Sequence, residues 1–128
     1  MSNPIGFKST VVRAAAPLTT GYVAGTVLEN CDKFNNLILD VAFTKGSLTD
    51  AQIKIETSVD NTNYRQLLAD SVTGGVNSPA LLYIKFTGDI SGVLTPLTIA
   101  TKYIKISAIG TGTVTGSSLA INAVLAKI

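Results

Sequence analysis

The chain has 128 residues, of which 46% are hydrophobic and 14% charged. That length suits one domain with its own core, and the apolar content excludes wholesale disorder. Ten Lys and Arg against eight Asp and Glu give a formal charge of +2 with no basic run, and no apolar run approaches the ~18 residues of a membrane helix. Neither nucleic acid nor membrane is therefore an expected partner.

The first segment, "MSNPIGF", carries Pro4 and Gly6 ahead of any alternating pattern. It reads as an extended arm over residues 1–7, leaving residues 8–128 as the domain. Ile5 and Phe7 are its large apolar side chains and the candidate partner-binding residues, because such groups order against a neighbouring surface. The segment lacks the basic-then-apolar pattern of a signal peptide, so synthesis and folding in a cytoplasm are expected.

From there the pattern is of β type. "KSTVVRAA" and "GYVAGTVLE" read as the first strands. In "NLILDVAF", Leu37, Leu39, Val41 and Phe43 share one face, and Asp40 points the other way, toward solvent or a Lys on the next strand. In "AQIKIETSV", Ile53, Ile55 and Thr57 oppose Gln52, Lys54 and Glu56, although "LTDAQI" also admits a single helical turn. Leu82, Ile84 and Phe86 alternate with Tyr83 and Lys85; Ile104, Ile106 and Ala108 alternate with Tyr103, Lys105 and Ser107. Leu119, Ile121, Ala123 and Leu125 form the last apolar face. Half-buried strands of this kind belong to antiparallel sheets.

The connections agree with strands. "TKGSLTD" (Thr44 to Asp50) has hairpin length, and "GTGTVTGSS" (Gly110 to Ser118) joins the last two strands. "ADSVTGGVNSP" reads as a Gly-rich loop, and "TGDISGVLTP" as a loop holding a short strand. The fold class that follows is all-β: an antiparallel β-sandwich of jelly-roll-like type, with seven to eight short strands and no substantial helix.

The chemistry available is sparse. There is no histidine, which removes Ser-His-Asp and Cys-His nucleophile systems and Cys/His zinc sites. The single cysteine, Cys31, sits between Glu29 and Asp32 and reads as a structural thiol. The carboxylates are spread along the chain rather than paired, and no phosphate-binding loop is present. No catalytic residue, cofactor or metal is expected. The stretch "SVDNTNYRQL" has a calcium-loop look in "DNTN", but the Gly and the terminal Glu of such a loop are missing. The favoured reading is a polar turn capped by Asp60 and Asn61, with Tyr64 covering the edge of the core.

"IKIETSVDNTNYRQL" resembles the strand-turn-strand pattern S-x-D-x-x-N-aromatic-x-x-L of small β-sandwich modules in tailed-phage virion proteins. "ATKYIKISAIGTGTVTGSSLAINAVLAKI" is similar to the closing hairpin of such modules, so the resemblance spans Ile53 to Ile128. Many relatives carry Gly after the Asp and Trp before the next strand; here Asn61 and Tyr64 stand there, and the chain has no Trp. The resemblance implies a non-enzymatic virion protein, foremost a capsid decoration or cement protein. It would bind capsid or other virion proteins and form a homo-oligomer, a trimer being favoured. A tail or baseplate component, or a carbohydrate-binding or adhesin module, is the alternative.

Overall fold

The computed structural model describes residues 6–127. Ile5 and the rest of the expected arm up to that residue lie outside the described residues. Gly6 and Phe7, also assigned to the arm from sequence, are the first two residues of a strand.

Two five-stranded antiparallel sheets face each other. The first is built from β1 (Gly6–Ala16), β3 (Asn36–Thr44), β11 (Ile90–Val93), β12 (Leu97–Thr98) and β14 (Ser118–Lys127). Its order is β1-β14-β3, with β11 and β12 sharing the far edge of β3. The second contains β2 (Val23–Ala24), β4 (Leu48–Ser58), β5 (Arg65–Gln66), β10 (Tyr83–Phe86) and β13 (Tyr103–Gly112). Here the order is β10-β4-β13-β2, and β5 pairs with β4 beside β10. The all-β sandwich expected from sequence is the observed fold; the helical content described is one 3-10 turn at Cys31–Lys33.

The alternation places the core where the pattern predicts. Leu37, Leu39, Val41 and Phe43 from β3 and Leu119, Ile121, Ala123 and Leu125 from β14 are buried. They meet Ile53, Ile55, Ile104, Ile106 and Ala108 from β4 and β13. Phe43 and Phe86 cross between the sheets with ring centroids 5.5 Å apart. Such a shared apolar layer supplies most of the stabilisation of a sandwich. "LTDAQI" makes no helical turn: Leu48–Ser58 is one strand, because Ala51, Ile53 and Ile55 bury only in that conformation.

Two connections differ from the expectation. "TKGSLTD" is not a hairpin within one sheet, since β3 and β4 lie in opposite sheets. Nor do the last two strands form a hairpin: β13 pairs with β4 and β14 with β3. Both links are corners that carry the chain across the sandwich. Gly110 and Gly112 belong to β13, and the corner proper is residues 113–117. Gly112 has φ +93, at a register shift against β4. At Gly110 a Cβ would lie 2.8 Å from Leu48 Cδ2 and 3.1 Å from Leu18 Cβ, so the side chains of two core residues occupy the space.

β1 has two register shifts against β14, flanking Arg13. The Arg13 guanidinium takes up the acceptors left there. Its Nε donates to the Leu119 carbonyl at 2.9 Å, and Nη2 donates to the carbonyls of Ala16 and Pro17 at 3.2 and 2.7 Å.

One flank of the sandwich is sewn shut. Gly25 N–H donates to the Ile106 carbonyl and Thr26 N–H to the Val12 carbonyl, both at 2.9 Å, so adjacent residues bond to opposite sheets. The other flank stays open between β10 and β12. An apolar cleft of about 240 Å³ lies there, lined by Leu37, Leu39, Leu82, Ile84, Leu94 and Leu97.

Candidate protein-binding surfaces

Because strands alternate, the register that buries one face of the first sheet also fixes its outer face. Phe7 lies opposite Ala126, Ser9 opposite Val124, and Val11 opposite Asn122. Val124 faces Ile38 and Asn122 faces Asp40, which in turn faces Val93. The result is a face bearing Phe7, Val11, Ile38, Val93 and Val124 around one carboxylate, Asp40. Phe7, Val11 and Val93 are 64%, 58% and 66% exposed. Phe7 therefore fills no part of the core. It lies at the edge of an apolar surface that its position in the sequence alone did not reveal. Asp40 is exposed, as the alternation requires.

The "ADSVTGGVNSP" segment is not a plain loop. β6 (Leu68–Ala69) pairs with β9 (Ala80–Leu81), and β7 (Val72–Thr73) with β8 (Val76–Asn77). Leu82 N–H donates to the Leu67 carbonyl, and Ser78 N–H to that of Ser71. All these partners fit one register, so residues 67–82 form a single hairpin projecting from the edge of β4. Its turn is Gly74-Gly75, with φ +59 and +79, the sign that a tight two-residue hairpin turn demands. Pro79 has no N–H to donate, which accounts for the gap between the two ladders. Leu68, Val72, Val76 and Leu81 are 57%, 67%, 62% and 50% exposed on it.

The "DNTN" stretch is a self-capped turn. Asp60 Oδ1 accepts from Ser58 Oγ at 2.9 Å, Thr62 N–H at 2.9 Å and Asn63 N–H at 2.8 Å. Asn63 Nδ2 donates to Oδ2 at 2.9 Å. The backbone hydrogen bonds from Asn63 and Thr62, with those from the Asn63 and Ser58 side chains, hold the Asp60 carboxyl far below the ordinary carboxylate range. Asn61 takes φ +61 and accepts from the Tyr64 hydroxyl. Tyr64 does not cover the core edge: its ring lies under the Lys105 ammonium, 4.0 Å from the centroid, on the outer face of the second sheet. The described residues contain no group of three or more potential metal ligands.

That outer face gathers all four tyrosines. Tyr103 and Lys105 stand on it from β13, Tyr83 and Lys85 from β10, and Lys54 and Glu56 from β4. Lys54 Nζ sits 4.3 Å from the Tyr22 centroid and 3.8 Å from Glu56. Lys85 Nζ lies 3.5 Å from Asp50. Cys31, by contrast, is fully buried, and burial pushes its thiol up to about 11.

The chain's fold is shared with solved structures of other proteins. It superposes on the SPBc2 prophage-derived protein YomS with a TM-score of 0.57 at 14% identity, covering 99% of this chain and 98% of that one. It superposes on the PBSX exported protein XepA with a TM-score of 0.63 at 8% identity, covering 92% of this chain. It spans 36% of the length of XepA, about a third. No family model and no curated protein sequence matches the chain.

Proposed function

We propose that the chain is a non-enzymatic structural protein of a phage virion that works by protein-protein contact, foremost as a capsid decoration protein. The observation that carries this reading is the outer face of the first sheet. Phe7, Val11, Ile38, Val93 and Val124 present apolar surface there with Asp40 as the charged residue of its paired rows. Apolar faces of that kind are sites of protein association. The prophage origin of YomS, which shares the fold, supports the virion as the setting. The partners are capsid or other virion proteins and further copies of the chain, with Ile5 and Phe7 at the contact. Repetition of a modest contact over a lattice is what makes a small cement effective.

Mass spectrometry of purified particles tests this. The chain should appear at a fixed copy number relative to the major capsid protein. Val11→Asp should fold as the parent does but be lost from particles. A chain absent from washed particles would overturn the reading. A tail component would show a copy number far below that of the shell.

A further inference from the structure

We propose that the outer face of the second sheet binds a linear glycopolymer bearing sparse anionic groups, phosphate or carboxylate. Lys85 stands opposite Gln52, Lys54 opposite both Tyr83 and Ser107, and Lys105 opposite Glu56. Each step moves one strand over and two residues along. Lys85, Lys54 and Lys105 therefore form a straight diagonal across β10, β4 and β13, with about 8 Å between neighbours. Cations scattered along the sequence become a row once the strands are in register.

Aromatic rings hold two of the three ammonium groups. Lys54 rests 4.3 Å from the Tyr22 centroid and Lys105 4.0 Å from that of Tyr64. A cation so placed keeps its charge and its outward N–H donors while losing side-chain freedom, which lowers the entropy cost of binding an anion. Tyr22 and Tyr83, on either side of Lys54, are 37% and 43% exposed and offer apolar ring surface to the C–H faces of sugars.

The carboxylates decide the class of polymer. Glu56 lies beside Lys54 and Asp50 beside Lys85, at 3.8 and 3.5 Å. A nucleic acid carries a phosphate at every residue and would meet both carboxylates as repulsion, with too few net cations for counterion release to drive binding. A hydroxyl-rich polymer can donate hydrogen bonds to these same carboxylates and place its sparser anions at the lysines. The paired rows of the first sheet's outer face offer one carboxylate, Asp40, and no row of lysines. This site is independent of the virion reading.

The chain can be titrated calorimetrically at low salt with four probes: a polysaccharide with one phosphodiester per oligosaccharide repeat, hyaluronan, neutral dextran and single-stranded oligothymidylate. We expect saturable binding of the phosphodiester-bearing polysaccharide or of hyaluronan, which also tells phosphate from carboxylate. Lys54→Gln, Lys105→Gln and Tyr83→Ala should each weaken it by about five-fold, with unchanged thermal unfolding. Phe7→Ala, on the other sheet, should bind as the parent does. Four results would each overturn the proposal: no binding of either charged glycan, dextran binding as tightly, oligothymidylate binding as tightly, or retention of full affinity in all three variants.

Discussion

Gly46 and Gly116 lie back to back where the two corners of the sandwich meet. Both have positive φ, +57 and +73. Ser47 N–H donates to the Thr115 carbonyl at 3.0 Å, which ties one corner to the other. A Cβ on Gly46 would stand 2.4 Å from the Gly116 carbonyl carbon, inside the backbone. A Cβ on Gly116 would meet Gly46 Cα at an ordinary 3.6 Å. The contact is therefore unequal. Gly116→Ala should cost about 1 kcal/mol, from φ alone, whereas Gly46→Ala should cost at least about twice that. Urea unfolding of the two variants gives the ratio; equal losses would contradict this packing.

The Asp60 turn should make stability fall in acid. Its folded carboxyl is held below the ordinary value, so the contribution is fully present above about pH 4 and fades as pH drops below it. Asp60→Asn should flatten the melting temperature between mildly and strongly acidic buffers. Added calcium should leave the melting temperature of the parent unchanged, because Oδ1 already accepts three hydrogen bonds.

Cys31 predicts the opposite slope in alkali. Its folded value is raised to about 11, so the buried neutral thiol stabilises the fold below about pH 8.5, and that contribution is lost as pH rises from there toward the folded value. Alkylation by iodoacetamide should track global unfolding, since the thiol is fully buried. Fast labelling of the native protein would refute the placement.

Arg13 should matter through its donors more than its charge. Arg13→Met keeps the apolar stem but leaves the Leu119, Ala16 and Pro17 carbonyls without their partner. A loss of about 1–3 kcal/mol is expected. Hydrogen exchange should quicken at the end of β1 before it does elsewhere.

Val72 and Val76 contribute little to folding where they stand. Val72→Thr and Val76→Thr should change stability by no more than about 0.5 kcal/mol and improve solubility. Gly75→Val should disrupt the hairpin, since its φ of +79 excludes a β-branched residue. Its amide resonances near residues 67–82 would report that locally.

The core was legible because period-two alternation is a local signal. Leu37 through Phe43 and Leu119 through Leu125 could be assigned a buried face without knowing their neighbours. Which sheet a strand joins is not local. β3 and β4 show the same pattern whether the link between them is a hairpin or a corner, and only the mutual fit of Gly46 and Gly116 distinguishes the two. The Gly110 region misled for a related reason. Glycine suggests a turn, but this one makes room for Leu48 and Leu18 inside a strand. The hairpin of residues 67–82 was hidden by the Asp70-Ser71 and Asn77-Ser78-Pro79 that interrupt its apolar runs, though Gly74-Gly75 between Thr73 and Val76 was the available clue. The surfaces were least legible. Val93 and Val124 are far in sequence from Phe7 and Val11, as Lys54, Lys85 and Lys105 are from one another, and register alone assembles each set.

Gly6 and Lys127 are direct partners in the β1–β14 ladder, at the pole of the sandwich away from the two corners. A peptide or protein fused ahead of β1 would thus emerge beside one fused after β14. Cargo at either position would point the same way and leave the corner pole bare. A linker of a few residues between these two positions would also close the ring, so that the chain could be reopened at the Gly74-Gly75 tip with every ladder of both sheets preserved.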